Sequence, residues 1–185
     1  MWSSSPSPAS KPLRWHVIKT CVSPAVLILL SALLSAGAAR AEVAEVGQSP
    51  PLFALADEAG EVHRLQDLLG KPIVLYFTHN MCHYCTQIIA FLKRAHAAYE
   101  RRDLTIVTIN VWADGGKLIR RYKEQFGLPF RMLAGKNRQL LKDYEVNYVP
   151  IVVFIGRDGH IRHIYHHYIL KQDFEASVQE IVEGD

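Results

Sequence analysis

The chain has 185 residues, enough for one domain of ordinary size. Its formal charge of +3 comes from the first 41 residues, which hold four of the 21 Lys and Arg and none of the 18 Asp and Glu. Residues 42–185 therefore carry 17 basic and 18 acidic side chains, a formal charge of −1, and this balance excludes a charge-based argument for a nucleic-acid partner.

Residues 1–41 have the organisation of a secretory signal peptide. A basic, Ser- and Pro-rich head precedes an apolar stretch at 21–36, and an Ala-x-Ala sequence ending at Ala41 supplies the small residues that a signal peptidase reads. We predict cleavage after Ala41, which leaves one domain at 42–185. The alternative is a retained membrane anchor, because 20–39 is about 20 residues long and could just span a bilayer. Both alternatives place the domain outside the cytoplasm, and we predict a periplasmic location.

The beginning of the domain predicts a small β-hairpin. The extended segments 53–55 and 62–65 flank a turn at 57–60, in which Gly60 accepts a positive φ. Asp67 is a candidate cap for a single helical turn at 68–69.

Two apolar segments and the helix between them predict a βαβ unit. The runs 73–78 and 104–111 are rich in β-branched residues and suit strands that are buried on both faces. From Thr86 to Asp103, apolar residues recur at helical spacing. Strand, helix and strand in this order favour a parallel pair in a central sheet.

The remaining elements extend this sheet and cover it. Asp114 is a candidate cap for a helix that ends at Gly127, and Asn137 is a candidate cap for a brief helix before 144. The run 151–155, a turn at 156–159 and an alternating segment predict a hairpin antiparallel to the other strands. An amphipathic helix closes the chain. The fold class is therefore α/β, a central mixed sheet flanked by helices, with an N-terminal β-hairpin extension.

The pattern that carries chemistry is Cys82-x-x-Cys85, at the junction between a strand and a helix. The helix N-terminus offers partial positive charge and unpaired N–H groups, which favour the thiolate form of Cys82. A protonated His83 adds to this effect. We predict Cys82 as the nucleophile and Cys85 as the resolving thiol of a redox-active pair. If Cys21 leaves with the leader these are the only thiols, and a disulfide across so short a loop adds little stability.

The alternatives to redox chemistry are half of a metal site and a pair of inert core cysteines. Tetrahedral zinc needs about four ligands, and only histidines could complete the set. His160, His163, His166 and His167 form a cluster, but on a strand they would divide between two faces. We therefore predict no metal and no cofactor.

Two further features accompany the cysteine pair, namely Val149-Pro150 before a strand and the turn at 156–159. Together they resemble the thioredoxin fold, and more narrowly the exported thiol–disulfide oxidoreductases of the TlpA/ResA type. The segment 46–55 is similar to the N-terminal extension of that group, and the resemblance covers 46–182. It implies exchange with disulfide- or dithiol-bearing envelope proteins and a membrane redox partner that recycles the pair. We expect the protein to be a monomer.

The resemblance also implies site residues. It implies a cis peptide bond before Pro150, which then packs against the dithiol, and a Val149 backbone that pairs with the substrate chain. His83 and Tyr84, between the cysteines, complete the predicted substrate-binding set.

The chain departs from this family at four positions. Met81 replaces the usual Trp, and Tyr84 replaces a frequent Pro. Tyr76 stands where thioredoxin has its buried acid, and Ile88 stands where the TlpA/ResA group has a glutamate. The carboxylate that handles the proton of the resolving thiol is therefore missing, and His79, His83 or water are the candidate replacements.

His83 bears on the redox potential as well. A histidine that stabilises the thiolate also stabilises the reduced form, and this makes the disulfide more oxidising. We place the potential between about −270 mV, as in thioredoxin, and about −120 mV, as in a strong oxidant.

Two other functions remain open. One is a peroxiredoxin-like peroxidase, although the residue three before Cys82 is His79 rather than Thr. The other is a copper- or zinc-binding assembly protein that uses Cys82, Cys85 and a histidine.

Overall fold

The structure is a computed structural model that describes residues 43–184, apart from the side chain of Glu100. The predicted leader and its cleavage site at Ala41 lie outside the described residues. Within the described range, no helix combines the length and apolar character needed to cross a membrane.

Seven strands and four α-helices form the described part of the chain. The strands are β1 (Ala54–Ala56), β2 (Val62–Arg64), β3 (Ile73–Thr78), β4 (Thr105–Asn110), β5 (Arg131–Ala134), β6 (Ile151–Ile155) and β7 (Ile161–Tyr165). The helices are α1 (Cys85–Tyr99), α2 (Gly116–Phe126), α3 (Arg138–Asp143) and α4 (Lys171–Glu183). Short 3-10 turns occupy Leu65–Asp67 and Glu100–Arg102.

Five strands form one mixed sheet in the order β5-β4-β3-β6-β7. The strands β3, β4 and β5 are parallel to one another, whereas β6 is antiparallel to β3 and β7 is antiparallel to β6. The strands β1 and β2 form a separate antiparallel hairpin. The predicted mixed sheet and N-terminal hairpin are therefore confirmed.

The central strand β3 is buried along its whole length because both faces of the sheet are covered. Val74 and Tyr76 pack on one face with residues of α1 and α4. Leu75 and Phe77 pack on the other face with Leu65 and with residues of α3. The continuous apolar run in the sequence thus corresponds to alternate side chains that enter two cores.

The N-terminal segment is held against the main sheet by backbone bonds. Gly47 N–H donates to the Ile161 carbonyl at 2.8 Å, and Ile161 N–H donates to the Gln48 carbonyl at 2.9 Å. On the next segment, the Tyr144 hydroxyl donates to the Pro51 carbonyl at 2.7 Å. The stretch before β1 is therefore part of the packed domain.

The hairpin turn is held by α2. Lys123 forms an ion pair with the Glu58 carboxylate, and Arg120 donates to the Glu58 carbonyl at 3.1 Å. The backbone of Gly116 lies directly against the same carbonyl group. Three residues of one helix thus contact one residue of the hairpin.

Two helix starts differ from the prediction. The cap of α2 is Gly115, because the helix begins at Gly116, whose backbone lies against the Glu58 carbonyl group; the Asp114 side chain instead pairs with Lys136 at 3.1 Å. The helical turn near Asp67 begins at Leu65, where the chain enters the core, so that Asp67 is its last residue and not its cap. The prediction for Asn137 is confirmed, since its side chain accepts from Gln139 N and Leu140 N.

Candidate functional site

The cysteine pair lies just after the carboxyl end of β3. Cys82 and Cys85 form a disulfide in which the Cα atoms are 5.3 Å apart. Cys85 is the first residue of α1 and has no solvent exposure, whereas Cys82 lies in the preceding loop and is partly exposed. Cys82 N–H donates to the His79 carbonyl at 3.3 Å, which fixes the loop. A partner in solution can therefore reach the sulfur of Cys82 far more readily than that of Cys85.

The loop before β6 faces the pair. The Val149–Pro150 peptide bond is cis, as the resemblance implied. The Val149 carbonyl oxygen lies 3.9 Å from Cys82 Sγ. Pro150 is buried and Val149 is partly exposed. The structure thus brings Val149 and Pro150 to the exposed cysteine, although they follow it by more than 60 residues.

Asn110, at the end of β4, organises the loops at this edge of the sheet. It is fully buried, and its amide donates to the Asn80 side-chain oxygen at 2.9 Å. Its own side-chain oxygen accepts from Trp112 N at 3.1 Å and from Ala113 N at 3.2 Å. A buried amide is stable only when such partners are present, so Asn110 couples the cysteine loop to the loop after β4.

His79 and Trp112 form a stacked pair beside the motif. Their ring centroids are 3.9 Å apart, and their planes differ by 3°. His79 Nδ1 accepts from Met81 N–H at 3.1 Å, which requires this nitrogen to be unprotonated. Burial lowers the pKa of His79, with a smaller opposing effect from its own backbone. The neutral imidazole is therefore built into the loop that precedes Cys82.

Exposed apolar side chains surround the pair. Met81, Tyr84, Trp112 and Tyr148 each expose between 48% and 78% of their surface. A cleft of about 340 Å³ lies next to Val149, and its lining includes the His79–Trp112 pair and Tyr148. Apolar surface of this kind, concentrated around a reactive group, is typical of a site that binds another molecule.

His83 and Tyr84 lie on the outer side of the motif. Both are exposed, and their rings meet edge to face with centroids 5.8 Å apart. Tyr84 also lies 6.5 Å from the ring of Tyr168. The carbonyl of His83 accepts from the Thr86 hydroxyl at 3.0 Å. Both predicted binding residues therefore face solvent next to the disulfide.

Beneath the pair, the core contains hydroxyl groups and no carboxylate. Besides the buried tyrosines, the buried polar side chains of the described residues are Thr78, Thr108, Asn110 and Ser177. At the two positions where the family has an acid, Tyr76 and Ile88 are fully buried. The absence of a buried acid here, which the sequence predicts, agrees with the structure of the described residues.

The histidines of the C-terminal cluster do not converge. His163 pairs with Glu180 at 2.7 Å, and His160 lies 3.2 Å from Asp158. His166 and His167 follow the end of β7.

A different group, Asp57, Glu61 and His63 in the hairpin, places ligand atoms within 4.8 Å of one another. However, Asp57 already accepts from two backbone N–H groups and from His63. The hydrogen bond from His63, followed by smaller backbone bonds and opposed by burial, lowers the pKa of Asp57. These hydrogen bonds explain why the three side chains lie close together, as parts of a stabilised turn.

Sequence reasoning missed Trp112 and Tyr148. Trp112 could have been found, because it follows β4, and the carboxyl ends of parallel strands meet at one edge of a sheet. Tyr148 could have been found from its place next to Val149-Pro150. Neither residue belongs to a motif, so only the topology indicates its place.

Comparison with known proteins agrees with this geometry. The model of the AhpC/TSA family matches residues 46–164. Thiol-disulfide oxidoreductase ResA from Geobacillus kaustophilus is 28% identical over 136 residues, which cover 74% of this chain and 78% of that protein. ResA from Bacillus subtilis is 26% identical over 140 residues, with the same two coverages of 74% and 78%.

Solved structures show the same fold. The thioredoxin domain of a thiol-disulfide oxidoreductase from Bacteroides vulgatus has a TM-score of 0.67 at 17% identity and covers 75% of this chain and 98% of that domain. A secreted Mycobacterium tuberculosis disulfide oxidoreductase homologous to E. coli DsbE has a TM-score of 0.60 at 23% identity. The match covers 68% of this chain and 93% of that chain. The chain therefore belongs to the AhpC/TSA family, has a thioredoxin-like fold and is a thiol–disulfide oxidoreductase with the cysteine pair Cys82 and Cys85.

Proposed function

We propose that Cys82 attacks the disulfides of protein clients outside the cytoplasm and that Cys85 resolves the resulting mixed disulfide. The observation that carries this assignment is the difference in exposure, because Cys82 is partly exposed and Cys85 is not exposed at all. The nucleophile must reach a foreign sulfur, whereas the resolving thiol needs to reach only Cys82. The N-terminus of α1 favours thiolate at this point of the fold.

The reaction balances in two steps. The Cys82 thiolate attacks one sulfur of a client disulfide, a Cys82–client bond forms, and the other client sulfur leaves as a thiolate that takes up a proton. Cys85 then loses its proton to solvent and attacks Cys82. The Cys82–Cys85 bond forms and the second client thiolate leaves. Two electrons thus pass from the pair to the client, and the reverse sequence oxidises a client dithiol.

The proposed binding face consists of His83, Tyr84, Val149 and Pro150. The Val149 carbonyl, 3.9 Å from Cys82 Sγ, offers a backbone acceptor to an extended client chain. Exposed apolar rings beside it suit the side chains that flank a client cysteine. A surface this broad and open favours a polypeptide over a small peroxide.

The signal-peptide pattern of the leader supports a location of this activity outside the cytoplasm. Residues 1–41 support export to the periplasm, where disulfides form and persist. There the pair needs a membrane redox partner that restores the active form. His83, exposed and placed between the two cysteines in the sequence, supports a potential on the oxidising side of thioredoxin, since its protonated form can stabilise the thiolate.

The first measurement is the potential of the pair, by thiol trapping in glutathione buffers. A value near −270 mV would assign a reductant, and a value near −120 mV would assign a disulfide donor.

Client trapping tests the roles of the two cysteines. Cys85→Ser should accumulate mixed disulfides with periplasmic proteins, and Cys82→Ser with Cys85 intact is the matched control, which should trap none. Equal trapping by both variants would contradict the assignment, and trapping by Cys82→Ser alone would reverse it. A wild-type pair that never exchanges with disulfides would reject the function, and consumption of peroxide faster than by a free thiol would favour the peroxidase.

A further inference from the structure

Three buried hydroxyl groups lie beneath the cysteine pair, on the α1 side of β3. The Tyr76 hydroxyl donates to the Cys85 carbonyl at 3.1 Å. The Thr78 hydroxyl lies 2.9 Å from that of Tyr122. All three side chains are at most 1% exposed. The first of them therefore connects the central strand to the first residue of the catalytic helix.

The hydrogen bond of Tyr76 holds the backbone of Cys85 and not its sulfur. A hydroxyl has one proton to donate, and that of Tyr76 is engaged by the Cys85 carbonyl. A backbone carbonyl does not take up protons. Tyr76 therefore cannot carry away the proton of the Cys85 thiol, but it can hold the Cys85 backbone.

The phenol at this position also remains protonated. Burial first, and the neighbouring Tyr122 second, raise the pKa of Tyr76 well above its ordinary value, and the nearby Thr78 hydroxyl has a smaller, opposite effect. Tyr76 is thus a donor at every pH at which the enzyme can work. A carboxylate in its place would change charge with pH, whereas the phenol of Tyr76 stays neutral.

We propose that Tyr76 is a positioning residue for the resolving step of the reaction described under the proposed function, on which this inference rests. Cys85 begins α1, and a helix end is the part of a helix that frays most easily. Once the disulfide is reduced, the Tyr76 hydroxyl still ties Cys85 to β3. It thereby keeps the Cys85 sulfur aimed at Cys82 when Cys82 is joined to a client, and attack requires this alignment.

The experiment separates attack from resolution with 5,5′-dithiobis(2-nitrobenzoate) as the probe. When the reduced protein is mixed with less than one equivalent, attack by Cys82 releases one thionitrobenzoate, and attack by Cys85 on the mixed disulfide releases the second. Stopped-flow absorbance gives both rates. Tyr76→Phe removes one hydroxyl and keeps the ring, so that the first rate should stay within about twofold and the second should fall about fivefold, as expected for a lost hydrogen bond.

Tyr144→Phe is the matched control. Tyr144 is also a buried phenol that donates to a backbone carbonyl, that of Pro51 at 2.7 Å, but it belongs to the core on the other face of the sheet. A general loss of stability would affect both variants alike and leave the ratio of the two rates unchanged. We expect a changed ratio in Tyr76→Phe alone, and an unchanged ratio there overturns the proposal.

Two further outcomes bear on the proposal. If Tyr76→Phe does not fold, the same ratio is measured in Tyr76→Met, which removes the same hydroxyl with a flexible side chain and should slow the second rate about fivefold; an unchanged ratio then overturns the inference. If the wild-type protein releases no second thionitrobenzoate, the proposed function itself fails, before any variant is compared.

Discussion

Replacement of Gly116 by alanine should loosen the hairpin from the rest of the domain. A Cβ at this position would overlap the carbonyl oxygen of Glu58 and would lie 3.0 Å from its carbonyl carbon and 3.1 Å from its Cα. The obstacle is backbone, so no side-chain rotation relieves it. Arg120 and Lys123 hold the same residue, and the turn cannot retreat without weakening both contacts.

The magnitude is the difference between two opposing effects. Overpacking against a backbone that cannot rearrange costs about 1–3 kcal/mol. Alanine gains up to about 1 kcal/mol over glycine as a helix residue. With the overpacking cost in the middle of its range, about 2 kcal/mol, and a helix gain between zero and about 1 kcal/mol, we expect Gly116→Ala to lower the free energy of unfolding by about 1–2 kcal/mol.

Urea unfolding of the oxidised protein at pH 7 measures this change. The matched control is the neighbouring glycine, Gly115, whose Cβ would meet no atom within 4 Å. Its φ of −175° is accessible to alanine, so Gly115→Ala should stay within about 0.5 kcal/mol of the wild type. If Gly116→Ala is as stable as Gly115→Ala, the contact between hairpin and helix does not have the tightness that we infer.

Three further results are expected. In the reduced protein, iodoacetamide should modify Cys82 well before Cys85, because Cys85 is fully buried; mass spectrometry at short times measures the order, and equal rates would contradict it. Leu65→Ala should cost about 2–5 kcal/mol in urea unfolding because Leu65 is fully buried, whereas Leu68→Ala, at a half-buried site, should cost less. Because burial lowers the pKa of His79, the fold favours the neutral ring, and this stability is present above pH 6.5 and lost as the pH falls. His79→Phe should therefore show a weaker decline in stability from pH 7 to pH 5 than the wild type, and parallel declines would argue against this.

The sequence predicts the scaffold of the site well, for physical reasons. The run 73–78 is apolar at every position because both of its faces are covered, and a cysteine pair that follows such a strand lies at the edge of the sheet. The position of Pro150 beside Cys82 came from family resemblance. Local pattern alone identifies it only as a residue at the start of a strand.

Contacts between distant side chains were not predictable from local pattern. The alternation along β3 indicates which face Tyr76 occupies, but not that its hydroxyl reaches Cys85. The stacking of His79 on Trp112 depends on how two loops after parallel strands fold back. The cap of α2 was assigned wrongly to Asp114, because cap preference is local, whereas the helix start here is determined by the close approach of Gly116 to the hairpin.

The stacked Trp112 gives the domain an intrinsic fluorescent probe. The two other tryptophans of the chain, Trp2 and Trp15, fall in the predicted leader, so a chain that begins at residue 42 emits from this indole alone. The indole lies face to face with an imidazole in the loop that leads to the exposed sulfur. We therefore expect its emission to respond to protonation of His79 and to opening of the disulfide, and also to the client docking that we propose, without an attached label.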